Sequence, residues 1–539
     1  MKKTYILLIF SLIIVSCKKE NADLIIINSN TYIVNEKFEK AEAFAIKDGK
    51  FIAVGTNEEI QDTYKSKNTI DAKEQTIVPG LIDAHCHFYR MGLQQQKVSL
   101  EGTKSYDEVL AKIVAFQKEK NVAFISGRGW DQNDWKIKEF PTKEKLDKLF
   151  PKTPVAVSRV DGHALLVNQA AIDISEITKD TKVSGGEIIL KNGKMTGVLI
   201  DAAMNFIKFP ETSKQEATKG LLDAQKISFS YGLTTVDDAG LDKNTIELIE
   251  DLQKSNDLKI RIYAMVSADN QEQIDYYINK GKLKTDRLNV RSFKVYGDGA
   301  LGSRGAAMRK SYSDRENHFG ALIYDPERYQ EIAKQIAASE FQMNTHAIGD
   351  SANTWMLKTY REVLKDQENR RWRIEHAQII SSKDFQNFDN ILPSVQPTHA
   401  TSDMYWAEDR IGKDRMKGAY AFRNLLNRYR KIALGTDFPV EQVNPFLTFY
   451  AATYRKDLNN YPADGFQMEN SLSREETLKG MTIWAAYANF EEEEKGSIEV
   501  GKFADFVILN QDIMKVRESE IPKTNAVSTY LNGEKVFSK

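Results

Sequence analysis

Between residues 79 and 492 the chain alternates short apolar runs with long charged segments of helical period, and this rhythm restricts its fold more than any other feature. Segments such as "SYDEVLAKIVAFQKEK" and "PERYQEIAKQIAASE" read as amphipathic helices, whereas "FQMNTH", "RWRIEH" and "IALGTD" are short and end on a polar residue. Strands separated by helices pair in parallel, because a parallel return needs a crossover and the crossover helix covers the sheet face. Eight strands placed near residues 79–87, 232–238, 258–266, 288–296, 342–346, 371–376, 392–396 and 431–437 predict an α/β fold built on a (β/α)8 TIM-like barrel. Two further runs, "VAFISGRG" at 122 and "VAVSRVDG" at 155, fall between the first and second of these strands. They predict an insertion subdomain over about 100–225, on the face where βα loops build an active site, with a turn signal of its own in "VSGGEIILKNGKMTGVLI".

Both ends of the chain have a different texture. "LIIINSNTYIV", "AFAIKDGKFIAVG" and "NTIDAKEQTIVPG" near the start, and "GKFADFVILN" and "VSTYLNGEKVFSK" near the end, are short strands joined by polar turns. They predict one small β-sandwich assembled from residues 17–78 and 493–539, flanking a barrel over 79–492. The first residues, Met1-Lys2-Lys3 followed by an apolar run from Tyr5 to Val15, read as a secretory signal over 1–16, too short for a permanent span. Ile14-Val15-Ser16-Cys17 resembles a bacterial lipobox, which predicts export to the cell envelope and a membrane anchor at a lipidated Cys17; an ordinary cleaved signal is the alternative. Cys86 is then the one remaining thiol, so the fold holds without an intramolecular disulfide. A net charge of −1, with 28% charged residues, gives no basic excess for nucleic acid. The acidic run "FEEEEKGS" at 490 reads as a solvated helix end.

Chemistry concentrates at the strand ends. In "LIDAHCHFYR" the pair His85 and His87 projects to one face of the first barrel strand and Cys86 to the other. Such a pair is either half a metal site or a hydrogen-bonded surface pair. His346, His376 and Asp437 each end another apolar strand, so four strands deliver ligand-type residues to the same barrel face. Lys294 lies between Phe293 and Val295, which face the helices, so its side chain turns toward the barrel axis. An inward lysine is costly as a cation. It is either paired with an inner carboxylate such as Asp437 or converted by carbon dioxide to a carbamate that ligates metal.

Taken together, these residues resemble the amidohydrolase superfamily, and within it the YtcJ-like group that includes N-substituted formamide deformylases. The resemblance spans the chain after the signal and rests on His85 and His87, Lys294 with "DGALGSRGAA", His346, "IEHAQ", "SVQPTHATSDMYWAEDRIG", "GTDFPV" and "GSIEVGKFADFVIL". It implies a barrel with a terminal β-sandwich, a zinc-dependent hydrolase, and the ligand set His85, His87, Lys294, His346, His376 and Asp437, with one metal or two.

Nitrogen and oxygen ligands without thiolate suit Zn²⁺, with other divalent metals open. Asp437 is expected to move the proton of the attacking water to a leaving nitrogen, and His163 in "RVDGHALLVN" is the candidate electrophile opposite the metal. Trp130 and Asp131 in the loop "GRGWDQNDW", with Arg304 and His399, are candidate substrate contacts, with Trp130 as a buttress of the insertion the alternative, whereas His318 reads as a loop residue. The expected substrate is a small molecule with an amide, N-acyl, formamide or cyclic amide bond. Ester, lactone or aminohydrolase chemistry and a non-catalytic binding lipoprotein are the alternatives, and a homodimer is left open.

Overall fold

The computed structural model describes residues 19–160, 162–183, 186–365 and 367–539, so the signal segment and Cys17 lie outside the described residues. The chain divides into two compact units: one holds the residues up to Cys86 with Lys226–Lys243 and Lys259–Lys539, the other His87–Gln225 with Asn244–Leu258.

The first unit contains eight barrel strands: β1 (Leu81–Cys86), β2 (Leu233–Leu241), β3 (Arg261–Ser267), β4 (Leu288–Tyr296), β5 (Gln342–Ala347), β6 (Arg373–His376), β7 (Leu392–Val395) and β8 (Ala433–Leu434). They pair in chain order and every neighbouring pair is parallel. The helix Pro326–Ala337 shows why the intervening segments are helical: Pro326 fixes its first turn, and Tyr329, Ile332, Ala333, Ile336 and Ala337 form one buried stripe.

The seam between β1 and β8 is closed by side-chain and loop contacts. The Asp437 N–H donates to the His85 carbonyl at 2.8 Å. Asp83 accepts from the Thr436 N–H at 3.0 Å and from the Thr436 hydroxyl at 2.7 Å. Gly435 permits this approach, since a Cβ there would lie 2.5 Å from the His85 nitrogen.

In the same unit, two sheets made from both chain ends form the sandwich. One contains Leu24–Ile27, Ala43–Lys47, Lys50–Gly55 and Thr69–Asp71; the other joins Thr76–Pro79 to the C-terminal strands Phe506–Leu509, Ala526–Leu531 and Glu534–Ser538. Ile26, Phe44, Phe51, Ile77, Phe506 and Tyr530 fill its core. Arg261, at the start of β3, is fixed to the sandwich by Asp505 through contacts of 2.6 and 3.0 Å.

The acidic run near 490 differs from the solvated helix end expected. Glu491 is 2% exposed. Its carboxylate meets Lys284 at 2.8 Å and Lys495 at 2.6 Å, and the adjacent Glu492 pairs with Arg371. A run of like charges is solvated only when no cations reach it, and here Lys284 and Arg371 come from other elements while Lys495 folds back from the end of the run itself.

The second unit is built on a six-stranded sheet. Its hairpin Gly186–Lys191 and Lys194–Asp201 turns at Asn192-Gly193, where φ values of 52° and 73° are the left-handed pair a tight hairpin needs. A core of Val109, Ile113, Ile125, Trp130, Trp135 and Val157 lies against one face of the sheet.

Candidate metal centre

The C-terminal ends of the barrel strands bring three imidazoles and a lysine together. His85, near the end of β1, is wholly buried. Its Nε2 lies 3.1 Å from the Lys294 Nζ and 3.7 Å from an Asp437 carboxylate oxygen. The His376 ring sits 4.9 Å from that of His85 and 4.5 Å from that of His346, centroid to centroid. His376 and Asp437 reach this cluster through left-handed backbone, with φ of 70° and 62°. Such conformations are costly for non-glycine residues and persist where the surroundings over-determine them, often at functional sites.

Burial keeps two of the imidazoles, His346 and His376, neutral. Burial pushes His346 down to about 3. Burial and the neighbouring His346 and His85 rings push His376 well below the ordinary histidine value. A neutral imidazole keeps a lone pair for a metal. The His376 Nδ1 is buried without a hydrogen-bond partner among the described residues, so a cation there would satisfy an otherwise costly group. Burial also lowers Lys294, favouring the neutral amine.

Beside this cluster, His399 on the helix Pro397–Asp403 is held between two carboxylates. Its Nε2 is 3.3 Å from Asp437 and its Nδ1 is 3.1 Å from Glu441. Burial opposes its charge, but the hydrogen bonds to Asp437 and Glu441 outweigh burial and push it up to about 10. His376, His399 and Asp437 each offer a ligand atom within 4.8 Å of the others. His399, expected as a substrate contact, therefore sits against the acid that the chemistry needs.

The remaining sequence candidates are placed as follows. His87 directly follows β1 and is the N-cap residue of the helix Phe88–Gln94. His163 belongs to the second unit, where its side chain is three-quarters exposed and its Nδ1 is 2.7 Å from Asp201. Trp130 does not present a surface to a ligand: it is wholly buried in the core of the second unit and its indole N–H donates to the Val157 carbonyl at 2.8 Å. A large apolar side chain on a sheet strand gains more from that core than from a loop wall. Asp131 pairs with Arg159 at 2.8 Å and caps the short turn Gln132–Asp134. Arg304 spends its Nε and Nη2 on Asp314, at 3.0 and 2.8 Å, and so ties down its own loop. His318 bonds the Arg304 carbonyl at 2.9 Å, a loop role.

Three residues were not singled out from the sequence. Glu375 is wholly buried and its Oε2 lies 2.6 Å from the His85 Nδ1. Asp298 lies 3.5 Å from the His346 Nε2 while accepting backbone N–H groups of Ala307, Ile348 and Gly349. Glu441 is the other carboxylate on His399.

Comparison with known proteins places this geometry. The model of the amidohydrolase family matches residues 68–537. The chain belongs to that family. This amidohydrolase is 29% identical to the putative amidohydrolase YtcJ of Bacillus subtilis, over 94% of the chain and 98% of that protein. It is 24% identical to the N-substituted formamide deformylase of Arthrobacter pascens, over 95% of the chain and 97% of the relative. An uncharacterized metal-dependent hydrolase from Pyrococcus horikoshii shares the fold, with a TM-score of 0.77 at 24% identity over 92% of this chain and 99% of that one.

Proposed function

We propose that the amidohydrolase binds zinc at the barrel mouth and hydrolyses a carbon–nitrogen bond of amide type in a small molecule. The observation that carries this reading is the convergence of His85, Lys294, His346, His376 and Asp437 in one cluster, with the His376 Nδ1 lacking a hydrogen-bond partner among the described residues. Borderline nitrogen donors without a thiolate fit zinc. A bound zinc ion supplies a Lewis acid and brings the pKa of a water from about 16 to about 7.

The chain's own groups supply the rest. Asp437 takes the proton of the attacking water and delivers it to the departing nitrogen, which would otherwise leave as an unstable amide anion. His399, charged and held by Glu441, steadies the Asp437 carboxylate on the side away from His85. Lys294, whose burial lowers the cost of losing its proton, adds through Nζ as the neutral amine to carbon dioxide and loses a proton, and the resulting carbamate offers oxygen ligands. The formamide deformylase relative supports a C–N bond as the target. Export and a lipid anchor at Cys17 belong to the same proposal and rest on the Ile14–Cys17 stretch.

The test is a screen of purified enzyme against N-acyl amines, formamides, cyclic amides, esters and lactones, with metal content measured in parallel. Turnover of amide bonds by zinc-loaded protein supports the reading; turnover confined to esters or lactones rejects the C–N assignment.

A further inference from the structure

Barrel interiors are ordinarily filled with Val, Ile and Leu, yet below this metal centre lies a wholly buried array of ionisable and polar side chains. Arg373 and Glu375 are two residues apart on β6 and point the same way. The Arg373 Nη1 donates to Asp237 at 3.0 Å and lies 3.9 Å from the Glu375 Oε1. Asn489 donates to the other Asp237 oxygen at 2.6 Å and also bonds the Arg373 guanidinium. The far oxygen of Glu375, Oε2, lies within hydrogen-bond distance of the His85 Nδ1, at 2.6 Å. Arg373, Glu375, Asp237, His85 and Asn489 all have exposures of 0%.

Packing does not account for such an array. Each charge loses its hydration on burial, and apolar residues of the same volume would fill the space at equal or lower free energy. What the array does achieve is a fixed proton. A neutral imidazole carries one N–H and one lone pair, and the proton's position decides which nitrogen can ligate.

We infer that Glu375 is the positioning residue of the metal centre: braced by Arg373, its carboxylate keeps the His85 proton on Nδ1 and leaves Nε2 as the ligand atom. The Nε2 is the nitrogen that faces Lys294 and Asp437, so the lone pair points into the cluster. The inference rests on the proposed metal centre. A carboxylate behind a ligating histidine fixes both tautomer and ring orientation, and its loss typically costs about 10–100-fold in metal affinity.

Two measurements on the full chain test this. Chelator competition gives zinc affinity for the wild type, Glu375→Gln and Glu375→Asp. The Gln variant should bind about 10–100-fold more weakly, with the Asp variant between it and the wild type, since the negative charge remains. Nitrogen NMR of ¹⁵N-histidine-labelled, zinc-free wild type should show the His85 proton on Nδ1, with the signal assigned by its loss in His85→Asn. Wild-type affinity in Glu375→Gln, or a His85 proton on Nε2, overturns the inference. Should Glu375→Gln fail to fold, the wild-type spectrum decides. If the wild type binds no divalent metal, the metal-centre reading falls and this inference with it; zinc bound equally by wild type and Gln variant removes this inference alone.

Discussion

Replacing Asp437 by Asn separates ligation from catalysis. The two side chains have nearly the same shape, and the site is 6% exposed, so the variant keeps the local packing. The His399 Nε2, 3.3 Å from the carboxylate, can still donate to an amide oxygen. What disappears is a base able to take a proton from water and return it to a leaving nitrogen. That service is worth about 10²–10⁴ in rate, or roughly 2.7–5.4 kcal/mol of barrier. His85, His346, His376 and Lys294 remain, so most of the metal should stay bound. We expect Asp437→Asn to retain near-normal zinc and to lose kcat by at least about a hundredfold on an amide. The loss should be smaller on an activated ester, whose leaving group needs no proton. Steady-state kinetics on matched substrates, with zinc by elemental analysis, provide the check. Equal losses would confine Asp437 to the attacking water, and a variant within severalfold of wild type would refute the assigned role.

Other perturbations address neighbouring claims. Lys294→Ala should lose metal and activity together, with short carboxylic acids restoring part of both; full metal content and activity in the variant would reject the carbamate. Glu491, held down at about 2 because Lys495 and Lys284 outweigh its burial, is depressed below the unfolded value of about 4.3. Its contribution of roughly 3 kcal/mol is therefore complete above about pH 5 and lost as pH falls toward 2. Urea unfolding should show Glu491→Gln destabilised by about that amount at pH 7, with the gap to wild type narrowing by pH 3; a gap independent of pH would contradict the assignment. Cys17→Ser should shift the protein from the membrane fraction to the soluble fraction, and unchanged partitioning would place any anchor elsewhere.

The barrel was legible because two periodicities are written into the chain: apolar strand runs, and helices whose buried stripe recurs every three to four residues. His85, Lys294 and His346 were readable for a similar reason, since alternation along a strand decides which side chains face inward. The alternation rule fails at Glu375. If His376 ends β6 pointing inward, Glu375 must point out; the left-handed turn at His376 lets both face the centre. No local pattern announces a positive φ at a non-glycine residue. Sequence left Trp130 open between a pocket wall and a buttress of the insertion because a Gly-rich setting resembles a loop; it ends a sheet strand and feeds a core formed by residues from 98 to 198. Glu491 was misread because its burial and its pairing with Lys284, some two hundred residues away in sequence, are set by tertiary structure, although Lys495 lies four residues on.

The central claim is that catalysis depends on a metal held at the barrel mouth, and metal removal tests it most directly. Purified protein would be stripped with a chelator, assayed on an amide found by the screen, and then titrated with zinc. The account predicts that stripped protein loses at least about 99% of its activity and regains it as zinc fills the site, in step with bound metal. Full activity in protein shown by elemental analysis to be metal-free would contradict it.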